Sequence, residues 1–361
     1  MNYWTGQEVH LFEEAFKSFI GAKYAVAFAN GTVALETALY ALGIKKDDEV
    51  IVTPRSFIAP ASSIVLSGAK PVFADVDPVS QNITADSISK VITSKTRAII
   101  LVHLAGWPCE MDEIMDMAKQ NNLYVVEDCA QALGAEYKGK PVGSFGNIGV
   151  FSFCHDKIIT TGGEGGMLVT DDHVLWNKMW SFKDHGKNYK KIYNDSNTFQ
   201  FVHDSFGTNY RMTEMQAAIG RLPLKKTNKW INIRRTNASL LNQTLSEMPI
   251  FRTTIPGNSI IHVYYKFYFF INTEYLSNGW TRDKIVSAIN AEGIPCFTGV
   301  CPEIYKEKAF DNYNPVQYES LPNAKTLGET SIMLMVHPTI CEKDINDMCG
   351  ALKKISFAIS R

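Results

Sequence analysis

Three short segments of the chain carry side chains that could do chemistry. The first is Ser152-Phe153-Cys154-His155-Asp156-Lys157, followed by Ile158-Ile159-Thr160-Thr161 and the cluster Gly162-Gly163-Glu164-Gly165-Gly166. Most lysines are solvated surface charges. One that follows an apolar run by a few residues and precedes a glycine turn is placed to point into a cavity. A desolvated lysine there is a nucleophile toward carbonyl groups. The second segment is Glu127-Asp128-Cys129-Ala130-Gln131, directly after Tyr124-Val125-Val126. A carboxylate at a strand end can hold a metal, pair with a cation or cap the next helix. The third is Asn30-Gly31-Thr32, between an apolar run and a helical pattern. A turn opening onto a helix N-terminus offers free N–H groups and a favourable dipole to an anion, and capping by Asn30 or Thr32 is the plain alternative.

These groups need a scaffold that brings them to one place. YAVAFA at Tyr24–Ala29, EVIVT at Glu49–Thr53, PVFADV at Pro71–Val76, AIILVHL at Ala98–Leu104, YVVEDC at Tyr124–Cys129 and IGVFSF at Ile148–Phe153 all read as strands. Helical patterns at Thr32–Leu42 and Ser56–Ser67 separate some of them. Continuous apolar strands alternating with helices imply an α/β fold, with a mostly parallel sheet covered on both faces in three layers. All three chemical segments then lie beyond strand ends, where such sheets bind ligands. After Arg211 the pattern turns helical through MTEMQAAIGRL, and Pro223 should end or kink that helix. The pattern resumes over Lys225–Leu245, and strand-like runs such as VYYKFYFFI follow among further helices. We read a large domain over residues 1–222 and a smaller C-terminal α+β domain over 223–361.

The formal net charge of -1 over 361 residues gives no global field for nucleic acid or an anionic membrane surface. The seven cysteines show no CxxC spacing, so they read as reduced thiols and not as a zinc site. The first residues, MNYWTGQEVHLFEEAF, do not read as a signal peptide, and no apolar run approaches the ~18 residues of a membrane span. The expected location is the cytoplasm, and no metal is expected.

A lysine, a strand-end acid and a phosphate-binding turn are together what pyridoxal 5'-phosphate requires: an amine for its aldehyde, an acid for its pyridine nitrogen and donors for its phosphate. The chain resembles the DegT/DnrJ/EryC1/StrS sugar aminotransferases, within the fold-type I pyridoxal-phosphate enzymes. The resemblance runs from about Gly6 to the C-terminus. It rests on TGxEVxxFE near the start, NGTxAL at Asn30–Leu35, GAKPVFADVD at Gly68–Asp77 and VHLxGxPxxMDxI at Val102–Ile114. Further on come EDxAQALGAxYxGxxVGSFGxxGxFSF at Glu127–Phe153, KxxTTGGEGGM at Lys157–Met167 and NYRMTEMQAAIG at Asn209–Gly220.

The resemblance implies roles for single residues. Lys157 would carry the cofactor and shuttle the proton. Asp128 would pair with the pyridine N–H, Gln131 would sit near the ring hydroxyl, and Phe57 would stack on the ring, with core packing as its plain alternative. Gly31, Thr32 and Ser152 would bind the phosphate, and Asn209 would reach the phosphate of a neighbouring subunit in a homodimer with shared active sites. Arg211 would bind the carboxylate of the amino donor, unless it forms an ion pair. His185 would touch substrate, unless its role is structural. Three features depart from the family pattern: a shorter stretch before TGxEV, Pro223 in a helix that is usually continuous, and no histidine over Gly299–Tyr305.

The implied reaction takes an amino group from L-glutamate and gives it to a nucleotide-linked keto sugar, with ping-pong kinetics. NYRMTEMQAA resembles members acting at C4 of 4-keto-6-deoxyhexoses, with dTDP the preferred nucleotide and surface-polysaccharide amino sugars such as those of O-antigen the expected product class. Amination at C3 and a non-catalytic cofactor-binding regulator are the alternatives. A sugar 3-dehydratase of the same family would carry histidine where this chain has Lys157.

Overall fold

The computed structural model describes residues 6–193, 199–311 and 320–360. A seven-stranded sheet is formed by β1 (Tyr24–Phe28), β2 (Glu49–Val52), β3 (Lys70–Phe73), β4 (Thr96–Val102), β5 (Tyr124–Asp128), β6 (Ile148–Ser152) and β7 (Gly166–Thr170). The strand order is β1-β7-β6-β5-β4-β2-β3. Pairings from β6 to β3 are parallel, whereas β7 runs antiparallel to both β6 and β1. The sheet is therefore mostly parallel, as expected. Strand β7 is the addition: it lies behind the glycine cluster, whose turns reverse the chain onto β6.

Alternation along the strands feeds two apolar layers. In β1, Val26 and Phe28 face one layer and Ala25 and Ala27 the other. Val150 and Phe151 of β6 divide in the same way. The first layer is closed by α2 (Gly31–Leu42), whose small residues Ala34, Ala38 and Ala41 let it approach closely. The second is closed by α1 (Glu8–Ile20), where the ring of Phe16 meets Phe151 edge-on at 4.9 Å. The helix after β2, α3 (Ala59–Leu66), starts later than the sequence pattern suggested because Pro60 sits in its first turn, where a missing N–H costs nothing. Two more helices cover the sheet, α4 (Met111–Gln120) and α5 (His173–Lys183).

Helix α6 (Glu214–Leu224) ends one residue after Pro223, and α7 (Thr227–Ser246) begins three residues further on. The chain then builds a four-stranded antiparallel sheet from β8 (Phe251–Thr253), β9 (Phe267–Ile271), β10 (Cys296–Phe297) and β11 (Ser331–Leu334), in the order β8-β9-β11-β10. Its core is shared with α7, α8 (Arg282–Ala291) and α10 (Glu342–Ile359); α9 (Pro322–Thr330) packs toward the first sheet. No described helix is long and apolar enough to cross a membrane.

Candidate active site

The parallel strands deliver their last residues to one edge of the sheet: Val52 of β2, Val102 of β4, Asp128 of β5 and Ser152 of β6. Asp128 lies opposite Val102 on one side and Val150 on the other. Neighbouring residues on a strand face opposite ways, and Glu127 and Asp128 have correspondingly different work. Glu127 is fully buried and accepts the N–H groups of Gly143, Phe145 and Gly146 at 2.6–2.7 Å. It therefore fixes the loop between β5 and β6. Its fourth contact is Nε2 of His103 at 3.2 Å. Because the Cys109 N–H points at Nδ1 of that ring, Nδ1 is the acceptor and Nε2 carries the proton given to Glu127.

Asp128 is buried and accepts the Ala130 N–H on Oδ1 at 3.0 Å. That bond belongs to a turn, and no helix starts there. Burial raises the pKa of Asp128, and the Ala130 N–H and the charge of Lys157 offset this in part. Gln131 uses Oε1 to accept the Ala105 N–H at 2.8 Å. Ala105 and Gly106 both have positive φ, so the glutamine secures a strained turn after β4.

The turn before α2 meets the end of β6. Asn30 caps the helix by accepting the Val33 N–H at 3.0 Å. Gly31 lies so close to Ser152 that an added Cβ would stand 2.8 Å from the serine Cβ. The first turn of α2, with Thr32 in it, and the Ser152 hydroxyl thus form one polar corner with the favourable end of a helix dipole. Gly166, at the start of β7, backs this corner against the Asn30 carbonyl. Phe57 follows β2 and is 64% exposed, which rules out core packing.

Lys157 is 17% exposed at its side chain. Its Nζ is 3.4 Å from the Tyr265 hydroxyl and 3.7 Å from Oδ1 of Asp156. The Tyr265 hydroxyl in turn donates to Oδ2 of Asp156. Sequence reasoning did not find this pair. The Asp156-Lys157 adjacency was its one local signal. Tyr265 lies inside VYYKFYFFI, which reads as strand throughout, yet β9 starts only at Phe267. The preceding residues depart from strand geometry at Tyr264, with φ 45°, and bond instead to the turn after β4, Val263 N–H to Gly106 and Tyr265 N–H to Ala105.

The three remaining candidates gather around Asp184. Arg211 is ion-paired with that carboxylate, which also binds Lys187 at 3.1 Å. Asn209 is exposed and bridges to Asp184 through its backbone. His185 is exposed in a left-handed conformation, its N–H on the Thr208 carbonyl. Arg211 also bridges to Phe28, the last residue of β1, so this group adjoins the Asn30 turn.

Residues 2–353 match the model of the DegT/DnrJ/EryC1/StrS aminotransferase family. The GDP-perosamine synthase of Escherichia coli O157:H7 is 36% identical over 354 residues, 97% of this chain and 90% of that protein. The GDP-perosamine synthase of Caulobacter vibrioides is 37% identical over 355 residues, 97% of this chain and 91% of that protein. The X-ray structure of the aminotransferase from Psychrobacter cryohalolentis has a TM-score of 0.97 to this chain at 49% identity, covering 99% of this chain and 93% of that one.

Proposed function

This chain belongs to the DegT/DnrJ/EryC1/StrS aminotransferase family, whose members depend on pyridoxal phosphate, and from that premise we propose that it moves an amino group from L-glutamate to C4 of a nucleotide-linked 4-keto-6-deoxyhexose. The observation that carries the chemistry is the meeting, at one sheet edge, of the sheltered Lys157 amine with the buried Asp128 carboxylate that feels its charge.

The residues present fit the cofactor. Burial leaves Asp128 short of positive partners, and a protonated ring nitrogen is the partner such an acid lacks. Gly31 leaves open the space a Cβ would take from the phosphate corner. Pyridoxal phosphate, when bound, supplies a conjugated ring that accepts the electron pair left when a carbon loses its proton.

The chain's own residues do the rest. Lys157 would hold the cofactor aldehyde and, as a free amine, would take and return the donor-carbon proton at Nζ. Asp128 keeps the ring nitrogen protonated, and Gln131 faces the ring hydroxyl. Phe57 covers the ring. Gly31, Thr32 and Ser152 hold the phosphate. Arg211 binds the donor carboxylate by exchanging it for Asp184, since its planar fork suits either partner. His185 contacts the substrate from the same loop.

We place the active enzyme as a cytoplasmic homodimer in which Asn209 reaches the partner's phosphate. Phe199, Phe201 and Phe206 are 84–97% exposed, and Met215, Ile219 and Leu222 line an exposed stripe of α6, which supports a covered surface there. The two relatives named GDP-perosamine synthases put guanosine beside thymidine as the nucleotide to test.

The test is a set of absorbance spectra of the enzyme with pyridoxal phosphate. Addition of L-glutamate should abolish the visible band of the lysine-bound cofactor. One 4-keto-6-deoxy sugar from a dTDP, GDP and UDP panel should restore it. A band indifferent to glutamate would favour the regulator reading; restoration by a 3-keto sugar alone would move amination to C3.

A further inference from the structure

Building on the transamination reading, we propose that Tyr265 and Asp156 form a positioning pair for Lys157: the tyrosine hydroxyl holds Nζ in place, and the aspartate supplies the counter-charge while that amine carries the proton. The hydroxyl stands between the two groups. It donates to Oδ2 of Asp156 and is left with lone pairs for Nζ, 3.4 Å away. Oδ1 of the same carboxylate faces Nζ at 3.7 Å. One carboxylate thus locks the tyrosine with one oxygen and faces the lysine with the other.

Tyr265 is a rigid strut. It is buried, its N–H bonds to the Ala105 carbonyl at 2.9 Å, and its own carbonyl accepts from Nη1 of Arg234 at 3.2 Å. Ala105 is in turn held by Gln131. The hydroxyl is therefore positioned by the framework that carries the cofactor-facing glutamine. A proton shuttle needs its nitrogen within a few tenths of an ångström of the transfer path, and a long lysine side chain does not stay there unaided.

The charges around the pair support the same division of work. Burial works to raise the pKa of Asp156, but the Tyr265 hydrogen bond and the nearby Lys157, Lys266 and His155 side chains outweigh it, so the carboxylate stays ionised. Burial and the Asp156 contact push the Tyr265 phenol up, so it keeps its proton. Other groups facing the pair are Lys266, 4.7 Å from the centre of the Tyr265 ring, together with Tyr268, Cys154, Asp128 and Arg234. In the reaction Nζ takes one proton from the donor carbon and gives it up again, while Tyr265 and Asp156 exchange none.

The experiment compares Tyr265→Phe, Asp156→Asn and Asp156→Glu with wild type, all loaded with pyridoxal phosphate. The pH midpoint of the lysine-bound cofactor band is read without turnover. Asp156→Asn should move it to lower pH by about half a unit or more, because a carboxylate beside a cation favours the charged form, and Asp156→Glu should restore it. Tyr265→Phe should load normally, lose about ten- to a hundredfold in kcat with glutamate KM within about threefold, and show a larger α-deuterium isotope effect. Variants that lose only thermal stability, with unchanged midpoint, isotope effect and kcat, would overturn the proposal and leave a structural pair. A wild-type enzyme that ignores glutamate would sink the transamination reading, yet the midpoint shift would still decide the role of Asp156.

Discussion

Gly31 and Ser152 are far apart in the chain, yet there is no room between them for a methyl group: a Cβ on Gly31 would lie 2.8 Å from the Cβ and 3.2 Å from Oγ of Ser152. The close approach joins the first turn of α2 to the end of β6. Gly31→Ala must push the two apart, and overpacking of this kind costs about 1–3 kcal/mol. We expect at least tenfold weaker pyridoxal-phosphate binding in a fluorescence titration. Ser152→Ala keeps the spacing and loses one donor, so it should weaken binding by about tenfold or less.

Glu127 should matter to stability more than to chemistry. It satisfies the buried Gly143 N–H, the half-buried N–H groups of Phe145 and Gly146, and the buried His103 ring. Glu127→Gln puts an amide N–H where one of those donors already points, leaving buried groups unpaired. The expected loss is about 3 kcal/mol by chemical denaturation. In whatever fraction remains folded, pyridoxal phosphate should still attach.

Asp128 should behave in the opposite sense. Its pKa is raised by burial in the apo protein. A carboxyl group raised on folding favours the folded state while protonated, below its unfolded pKa, and that advantage is lost as pH rises through the folded value. The apo Asp128→Asn variant should therefore match wild type in acid and melt at a higher temperature than wild type by pH 8. The loaded variant should lose a hundredfold or more in kcat, because the ring nitrogen loses its anionic partner.

The thiols should react in two classes. Cys129 and Cys296 are buried and pushed up to about 12, so little thiolate forms near neutral pH. Cys109 is equally buried, whereas Cys341 is exposed. In a thiol-reagent titration of native protein, Cys341 should be labelled first and these three only on unfolding.

The sequence exposed the frame of this site and hid its supports. Apolar runs gave the strands to within a few residues, since a strand covered on both faces must be apolar along its length. Their ends then put Asp128, Ser152 and Lys157 at one edge. Strand β7 escaped notice because a short apolar stretch behind a glycine cluster reads as a turn. Tyr265 and Asp156 meet across 109 residues of chain, and no periodicity encodes such a contact. The same holds for Arg211, whose Asp184 partner lies 27 residues away. The Glu127 network was masked by its neighbour: at a strand end, two adjacent acids look alike until their faces are known.

The measurement closest to the central claim is a covalent trap. The protein loaded with pyridoxal phosphate would be reduced with borohydride, digested and mapped by mass spectrometry, with Lys157→Ala alongside. We expect the reduced cofactor on the peptide containing Lys157 and no label at the active site of the variant. A label on Lys266 or another lysine, or none on wild type, would contradict the account.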